Sequence, residues 1–170
     1  MDEGIDIEID GLTNSIENAI SGDRFQTETS LLEKIELRSI TKKQGWVFDW
    51  AKEFRDADSE IYKLTIVGNP SIIQGVVSIE NKPDHIYLRL IENAPFNKSK
   101  SKMYIGVPGN LVAYVCKLSF QRGHEGNVSF KSKSQLVAHY EETLGAVHVG
   151  GRNMIIDSVA AVKLISKYYK

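Results

Sequence analysis

A glycine-containing loop leads into an apolar segment at MYIGVPGNLVAYVCKLSFQRG, residues 103–123. Because Gly106 and Gly109 lack side chains, an anion can approach the backbone closely there. The first N–H groups of a helix have no partner within the helix, and they carry the positive end of its dipole. The loop therefore predicts a site that binds an anion through backbone amides. The alternative is a tight turn in which Pro108 occupies the first helical turn, where its missing N–H costs little.

Two common nucleotide-binding loops are excluded by the spacing. The loop has neither the Gly-Lys-Ser/Thr ending of a P-loop nor the G-x-G-x-x-G of dinucleotide-binding folds. The chain carries 21 basic and 22 acidic residues, for a formal net charge of -1, so no global field attracts nucleic acid or an anionic membrane. Any anionic ligand must be bound by local geometry, and we expect neither a nucleic-acid nor a membrane partner.

Other residue types that do chemistry give weaker signals. Cys116 lies within an apolar helical pattern, which is typical of a small buried hydrophobe rather than a nucleophile. His139 and His148 do not combine with a carboxylate at metal-ligand spacing, so no metal is expected. The lysine-rich stretch NKSKSK, residues 97–102, is typical of a solvated loop.

The elements that must position these residues begin with strands. Between residues 45 and 93, β-branched and aromatic residues are frequent, and they predict strands at WVFDW, IYKLTIV, IIQGVVSI and HIYLRLIE. The links GNPS and NKPD have the Gly, Pro and Asn content of short turns between antiparallel strands. This part predicts an antiparallel meander.

After residue 93 the pattern alternates between helix and strand. It predicts a helix over residues 109–121, a strand at GNVSF and a second helix at KSQLVAHYEETLGA. Strands at AVHVG and NMIID follow, and SVAAVKLISKYY is a closing helix capped by Asp157 or Ser158. The meander followed by α-β-α-β-β-α predicts an α+β, or mixed α/β, fold.

The N-terminal part is acidic and the hardest to place. It contains the alternating piece IDIEI, helical spacing in LTNSIENAI and a further helical candidate, ETSLLEKIEL. The whole chain has 170 residues, 42% of them hydrophobic, which suits one globular domain. One cysteine forms no internal disulfide, MDEGIDIEID lacks the features of a signal peptide, and no apolar run approaches the roughly 20 residues of a membrane span. We expect a cytoplasmic protein.

The order of the signals around the loop resembles the GNAT superfamily of acyl-CoA-dependent N-acetyltransferases. The family signature Q/R-x-x-G-x-G/A-x-x-L falls on residues 103–111, where Gly106 and Leu111 match and Met103 and Pro108 depart. The resemblance covers residues 62–170 and implies a twisted mixed sheet that opens between two parallel strands for the pantetheine arm. It implies acetyl-CoA as cosubstrate, with the pyrophosphate held at Tyr104, Ile105, Gly106, Val107, Gly109, Asn110 and Leu111. Lysines of residues 97–102 are candidates for the 3'-phosphate.

The second motif of the resemblance lies in LVAHYEETLGA. In the family, a tyrosine on this helix lies near the sulfur of CoA and acts as general acid for the departing thiolate, and here Tyr140, followed by Gly145, takes that place. The alternative is that Tyr140 packs on the apolar face with Leu136 and Leu144. Glu92, at the end of YLRLIE, is the candidate general base or ligand of the acceptor ammonium, the alternative being a strand-end carboxylate that points to water.

The resemblance divides the chain into residues 1–44, an acceptor-side or extension segment, and residues 45–170, the acyl-CoA-binding core. Two hypotheses follow. The first is an N-acetyltransferase for a primary amine on a small molecule or peptide, by direct transfer. The second is a non-catalytic GNAT-like domain that docks a partner protein, which the departures at Met103 and Pro108 favour. A homodimer is left open.

Overall fold

The computed structural model describes residues 4–11 and 15–169. Its strands are β1 (Ile16–Asn18), β2 (Arg24–Phe25), β3 (Thr27–Leu31), β4 (Glu60–Ile66), β5 (Gly75–Asn81), β6 (Ile86–Asn93), β7 (Tyr104–Ile105), β8 (Val128–Lys131), β9 (Val147–His148) and β10 (Asn153–Ile156). Its α-helices are α1 (Trp50–Arg55), α2 (Val107–Gln121), α3 (Val137–Leu144) and α4 (Ser158–Tyr168). Short 3-10 turns lie at Lys34–Ser39, Lys42–Gln44, Pro95–Asn97 and Ser134–Leu136.

A mixed sheet of seven strands forms the centre of the fold, in the order β3-β4-β5-β6-β8-β10-β9. Strands β3 to β6 pair antiparallel, as do β8, β10 and β9, whereas β6 and β8 pair in parallel. A smaller sheet has the order β2-β1-β7. The antiparallel pairing of the last three predicted meander strands, the alternation after them and the mixed α+β fold class are therefore confirmed.

Local signals in the sequence account for most helix ends. Helix α2 begins at Val107, two residues before the predicted start, and is followed by Gly123 in a left-handed conformation with φ of 81°. Gly145, with φ of 68°, ends α3 in the same way. The Asp157 side chain accepts a hydrogen bond from the Ala160 N–H at 2.9 Å and so caps α4.

Each face of the sheet has its own apolar core. Because side chains alternate along a strand, Tyr62 and Leu64 of β4 pack toward α2 and α4, whereas Ile61 faces the other side. The second core is formed around Trp46 and Trp50, which are both buried. Strand β6, which carries Glu92, has side chains in both cores.

The prediction of a strand at WVFDW is wrong. Its residues form a bend that leads into α1, which begins at Trp50. The Asp49 side chain accepts a hydrogen bond from the Lys52 N–H and caps the helix. The aromatic residues that favoured a strand instead pack together, with the Phe48 and Trp50 rings edge to face at 6.2 Å.

The helical interpretation of LTNSIENAI is also wrong for the described residues, and Leu12 lies outside them. Ile16–Asn18 is a strand that pairs with β2 on one side and β7 on the other. In ETSLLEKIEL, Thr27–Leu31 is the edge strand β3, and only Lys34–Ser39 is helical, as a 3-10 turn. The division at residue 44 stays a prediction, although β3 pairs directly with β4 across it.

Candidate active site

The central sheet opens between the two parallel strands β6 and β8. They pair only where Ile86 lies opposite Val128 and Tyr87 opposite Ser129. Beyond these positions β6 continues to Asn93 and β8 to Lys131 without further pairing to each other. The opening therefore lies where the resemblance implies it, ahead of the glycine loop. We call it the groove.

Residues 4–11, GIDIEIDG, lie in the groove, and we call them the inserted segment. The Ile5 N–H donates to the Lys131 carbonyl at 2.6 Å, and the Ile5 carbonyl accepts from the Lys133 N–H at 2.9 Å. These two bonds form a parallel bridge opposite Ser132, directly after β8. The chain's own N-terminal part thus pairs with β8 beyond the point where β6 separates from it.

Three side chains from α3 and α4 hold the backbone of the inserted segment. The Tyr140 hydroxyl donates to the Ile7 carbonyl, and the Ile9 N–H donates to His139 Nε2 at 2.9 Å. The Tyr168 hydroxyl donates to the Gly11 carbonyl. These bonds fall on every second residue, so the backbone of the segment is held at regular intervals by side chains of the two helices.

The alternating residues of the inserted segment face in two directions. The isoleucines belong to the main apolar core, where they meet residues such as Leu88, Val112 and Phe130. Asp6 and Glu8 line a cavity of about 650 Å³ on the other side. The IDIEI pattern therefore corresponds to a segment whose isoleucines are more buried than its acidic residues, with one bridge at Ile5.

The glycine loop binds an anion, and the anion is a side chain of the chain itself. Gly106 has φ of 101°, a conformation that favours glycine, and its N–H donates to Asp10 Oδ1 at 3.0 Å. The other oxygen of Asp10 accepts from Lys102 Nζ at 2.7 Å. A carboxylate thus lies between the amide at the start of α2 and a lysine ammonium.

The other candidate cofactor residues are covered by the chain itself, some by its N-terminal part and, for Val107 and Leu111, by the central sheet at Gly75. Tyr104 and Ile105 form β7 and pair with β1. Val107, Gly109, Asn110 and Leu111 are buried. The Asn110 side chain donates to the Gly106 carbonyl at 2.7 Å and so stabilises the first turn of α2.

Gly109 has a packing role. A Cβ atom at this position would lie 1.9 Å from the Tyr168 hydroxyl and 2.9 Å from the Gly11 carbonyl. Both distances are shorter than the contacts that Cβ atoms make, the first by more than 1 Å, so the absent side chain leaves room for the bond between Tyr168 and the inserted segment.

Glu92 is buried, with 4% of its surface exposed, and both carboxylate oxygens are fully used. Oε1 accepts from the Phe48 N–H at 3.2 Å and from Trp50 Nε1 at 2.8 Å. Oε2 accepts from the Val47 N–H at 2.6 Å and from Lys98 Nζ at 2.5 Å. A carboxylate has about four lone-pair positions, so a new donor must replace one of these four. Lys98 is the partner that a new donor can replace, since its side chain is one-third exposed.

The cavity brings Glu92 and Lys98 together with Lys102 and the inserted segment. Ile7 lines the same cavity and accepts the hydrogen bond of Tyr140, so it lies between the two candidate catalytic residues. Tyr140 itself is 1% exposed and packs edge to face on Phe130 at 5.4 Å. Burial, together with the nearby Asp6 carboxylate, raises the pKa of the Tyr140 hydroxyl far above its ordinary value.

The remaining reactive residues have structural surroundings. Cys116 is buried in the core, and burial raises the pKa of its thiol to about 12. His139 is used as the acceptor for Ile9, and His148 Nε2 contacts the Gly151 carbonyl. Within residues 4–11 and 15–169, no three His, Cys, Asp or Glu side chains are grouped to hold a metal ion. In the same part of the chain, no helix has the length and apolar character that crossing a membrane requires.

Asp10 and Tyr168 were missed by sequence reasoning as members of this site, and Lys98, which was considered for the 3'-phosphate, instead contacts Glu92. The strict alternation IDIEID was the available signal for an extended segment with one acidic face. Nothing in it indicated the groove as the place where that segment binds, because the contacts join residues at opposite ends of the chain.

Comparisons with known proteins support the fold. No family model and no curated protein matches the chain. The spermidine N-acetyltransferase of Vibrio cholerae in complex with CoA and spermine matches with a TM-score of 0.53 at 15% identity, over 81% of this chain and 98% of that chain. A chimera of that enzyme with hSSAT matches with a TM-score of 0.56 at 16% identity, over 81% and 99%.

A dodecameric structure of the same Vibrio cholerae enzyme matches with a TM-score of 0.52 at 15% identity, over 78% of this chain and 94% of that chain. Identities this low carry information about the fold and not about activity. The resemblance stated from the two motifs is thereby confirmed at the level of architecture, and the chain has the fold of the GNAT N-acetyltransferases.

Proposed function

We propose that the chain is an N-acetyltransferase that transfers an acetyl group from acetyl-CoA to a primary amine by direct attack. The observation that carries the proposal is the opening between β6 and β8, which ends at a backbone amide that binds a carboxylate. An open sheet with an anion-binding helix start at its end suits a long neutral arm that terminates in a pyrophosphate. Lys102 adds a cation at the same position.

The residues present fit this cosubstrate, with one difference. Pro108 has no N–H, so the start of α2 offers one amide fewer than the family pattern. The Gly106 N–H and Lys102 supply the charge complementarity that the structure already uses for Asp10. We expect these two groups to hold the pyrophosphate.

The acceptor amine enters, in this proposal, through the cavity beside Glu92. The Lys98 ammonium on Oε2 marks a position where a primary ammonium is bound, and a substrate ammonium replaces it there. Charge-assisted hydrogen bonds of this type are short and directional, and they orient the nitrogen. Glu92 therefore acts first as the ligand of the acceptor and then takes one of its protons.

The transfer itself then follows from position and proton movement. The amine nitrogen attacks the thioester carbonyl carbon, the new C–N bond forms and the C–S bond breaks. The departing thiolate takes the hydroxyl proton of Tyr140. The ammonium loses two protons over the cycle: one leaves through Glu92 to solvent, and the other restores Tyr140.

The acceptor class remains that of a small-molecule or peptide primary amine. The comparison enzyme was solved with spermine, a polyamine, and it forms a dodecamer. We propose polyamines and short peptides as the first acceptors to test, and a homodimer as the simplest assembly for this chain.

A second candidate function is a non-catalytic domain with the GNAT fold that docks a partner protein. The inserted segment favours it, because the groove is filled by apolar side chains and bonded backbone. The two functions differ in whether acetyl-CoA binds at all.

The test is calorimetric titration of acetyl-CoA into the full chain, followed by an acetyl-transfer assay with polyamines and peptides. We expect binding, transfer to at least one amine, and a lower kcat for Tyr140→Phe. Tyr169→Phe is the matched control, since Tyr169 contacts Lys117 outside the groove. Absence of binding at millimolar acetyl-CoA would refute the transferase proposal and leave the docking domain.

A further inference from the structure

The inserted segment imitates a bound cosubstrate at several points along the groove. Its Asp10 carboxylate lies between the Gly106 N–H and Lys102 Nζ. Its Ile7 carbonyl accepts from Tyr140, the residue assigned to the thiolate. An acidic group at one end and a hydrogen-bonded carbonyl three residues away follow the order of pyrophosphate and thioester in the proposed complex.

We propose that residues 4–11 are a built-in competitor of acyl-CoA, so that the chain as folded here is a closed state. The inference rests on the proposed function, because it concerns the same groove. The inserted segment and acyl-CoA cannot occupy the groove together, since Ile5, Ile7 and Ile9 fill the space below the opening. Acyl-CoA binds only when the segment leaves, and release of the segment is then the step that controls activity.

The bonds of the segment are of a kind that permits release. Its backbone is fastened by side chains and by one bridge to β8, not by a full ladder. When a pyrophosphate enters, it replaces the Asp10 carboxylate with another anionic group, so the Gly106 N–H and the Lys102 ammonium keep an anionic partner. Asp6 and Glu8 instead line the cavity. The segment therefore combines a specific anchor, Asp10, with acidic residues that do not anchor it.

Population arithmetic gives the expected size of the effect. When only a fraction of molecules is open, the apparent dissociation constant rises in inverse proportion to that fraction. Asp10→Asn keeps the shape of the side chain but loses the charge that pairs with both Gly106 and Lys102. We expect acetyl-CoA to bind this variant roughly tenfold or more tightly.

Glu8→Gln is the matched control, because it removes one negative charge from the same segment at a residue that lines the cavity, whereas Asp10 makes the bonds to Gly106 and Lys102. We expect a change of less than about threefold for it, from the general field alone. Calorimetry on the full-length wild type and both variants separates local competition from net charge.

A second measurement needs no substitution. The amide protons of Ile5 and Ile9 are bonded to Lys131 and His139, so they exchange slowly with solvent in the free protein. NMR-detected hydrogen exchange at saturating acetyl-CoA must show both amides becoming fast. Tighter binding by Asp10→Asn, with faster exchange at these amides, supports the proposal.

Two kinds of contrary result distinguish a failure of the proposed competition from a failure of the proposed function. Equal affinity in the wild type and Asp10→Asn, or exchange at Ile5 and Ile9 that stays slow while acetyl-CoA is bound, overturns the competition and leaves the transferase proposal intact. No binding to any of the three proteins at millimolar acetyl-CoA overturns the proposed function, and the competition falls with it.

Discussion

The Glu92→Gln variant is expected to unfold at markedly lower urea concentrations than the wild type, independently of its effect on catalysis. The wild-type carboxylate accepts four hydrogen bonds in a buried position. In the variant, one oxygen is replaced by an NH2 group that is itself a donor. The two donors that faced that oxygen, for example the Phe48 N–H and Trp50 Nε1, then lose their acceptor.

The magnitude follows from the burial of these donors. Leaving a buried donor unsatisfied costs about 1–3 kcal/mol, and bonds to a charged acceptor are worth about 1.5–3 kcal/mol. The Lys98 contribution is discounted because that side chain is 33% exposed. For two donors the sum is about 2–6 kcal/mol, which contains the range of about 3–5 kcal/mol for breaking one side of a buried ionic cluster. That is a large fraction of the stability of a typical domain.

Urea unfolding followed by tryptophan fluorescence measures the effect, because Trp50 itself contacts Glu92. Glu17→Gln is the control: its carboxylate is 34% exposed and lies 3.6 Å from Arg24, so its loss is expected to cost less than about 1 kcal/mol. A Glu92→Gln variant that keeps the wild-type midpoint would refute the structural reasoning. Such a variant with no transferase activity would mean that Glu92 acts in chemistry alone.

Four further outcomes test the same structure. Lys98→Met leaves Glu92 three donors, so we expect a stability loss of less than about 1 kcal/mol and a lower KM for the acceptor amine, measured in unfolding and transfer assays. Gly109→Ala forces Tyr168 out of its place and is expected to lower stability by about 1–3 kcal/mol in urea titrations. Cys116, with its pKa raised to about 12, is expected to react with iodoacetamide at pH 8 only after unfolding, as mass spectrometry will show. The pKa of Glu60 is held below 4.5 by hydrogen bonds from Arg122. The ionised Glu60 therefore stabilises the fold fully above pH 4.5, and this stabilisation is lost as the pH falls through the folded-state pKa. In urea titrations at several pH values, the stability of Arg122→Met should depend less on pH in that range than the stability of the wild type.

Elements with local signals could be predicted from the sequence. The meander and the helix that begins near Gly106 are specified by turn residues, caps and hydrophobic periodicity within a few positions of each other. The strand prediction at WVFDW was wrong because two local signals disagreed there. The aromatic residues have high β-propensity, whereas one residue, Asp49, caps a helix. The β-propensity was the stronger signal in the sequence, but the helix cap determined the structure.

The site could be predicted only in part. The position of Glu92 before the loop follows from chain order, but its three N–H donors come from residues 47–50, which no periodicity connects to it. Strand β1 is specified by partners on β7 that lie far along the chain. The inserted segment depends entirely on such contacts. Pairings of high sequence separation leave an alternating pattern in the sequence but no indication of the partner.

Both substrate positions of the proposed enzyme are filled by side chains of the matching charge. Asp10 lies where a pyrophosphate would, and Lys98 lies where an acceptor ammonium would. When a pyrophosphate replaces Asp10, or an acceptor ammonium replaces Lys98, a group with the same sign of charge takes the position. The partners of Asp10 and Lys98 in the groove therefore keep a group of opposite charge. The net cost of opening then lies mainly in the backbone bonds and isoleucines of residues 4–11. A closed state favoured by about 3 kcal/mol would raise the apparent dissociation constant of acetyl-CoA roughly 150-fold. Such a chain would be inactive at low acetyl-CoA concentration and active at high acetyl-CoA concentration. A docking domain with a permanently filled groove would be inactive at both.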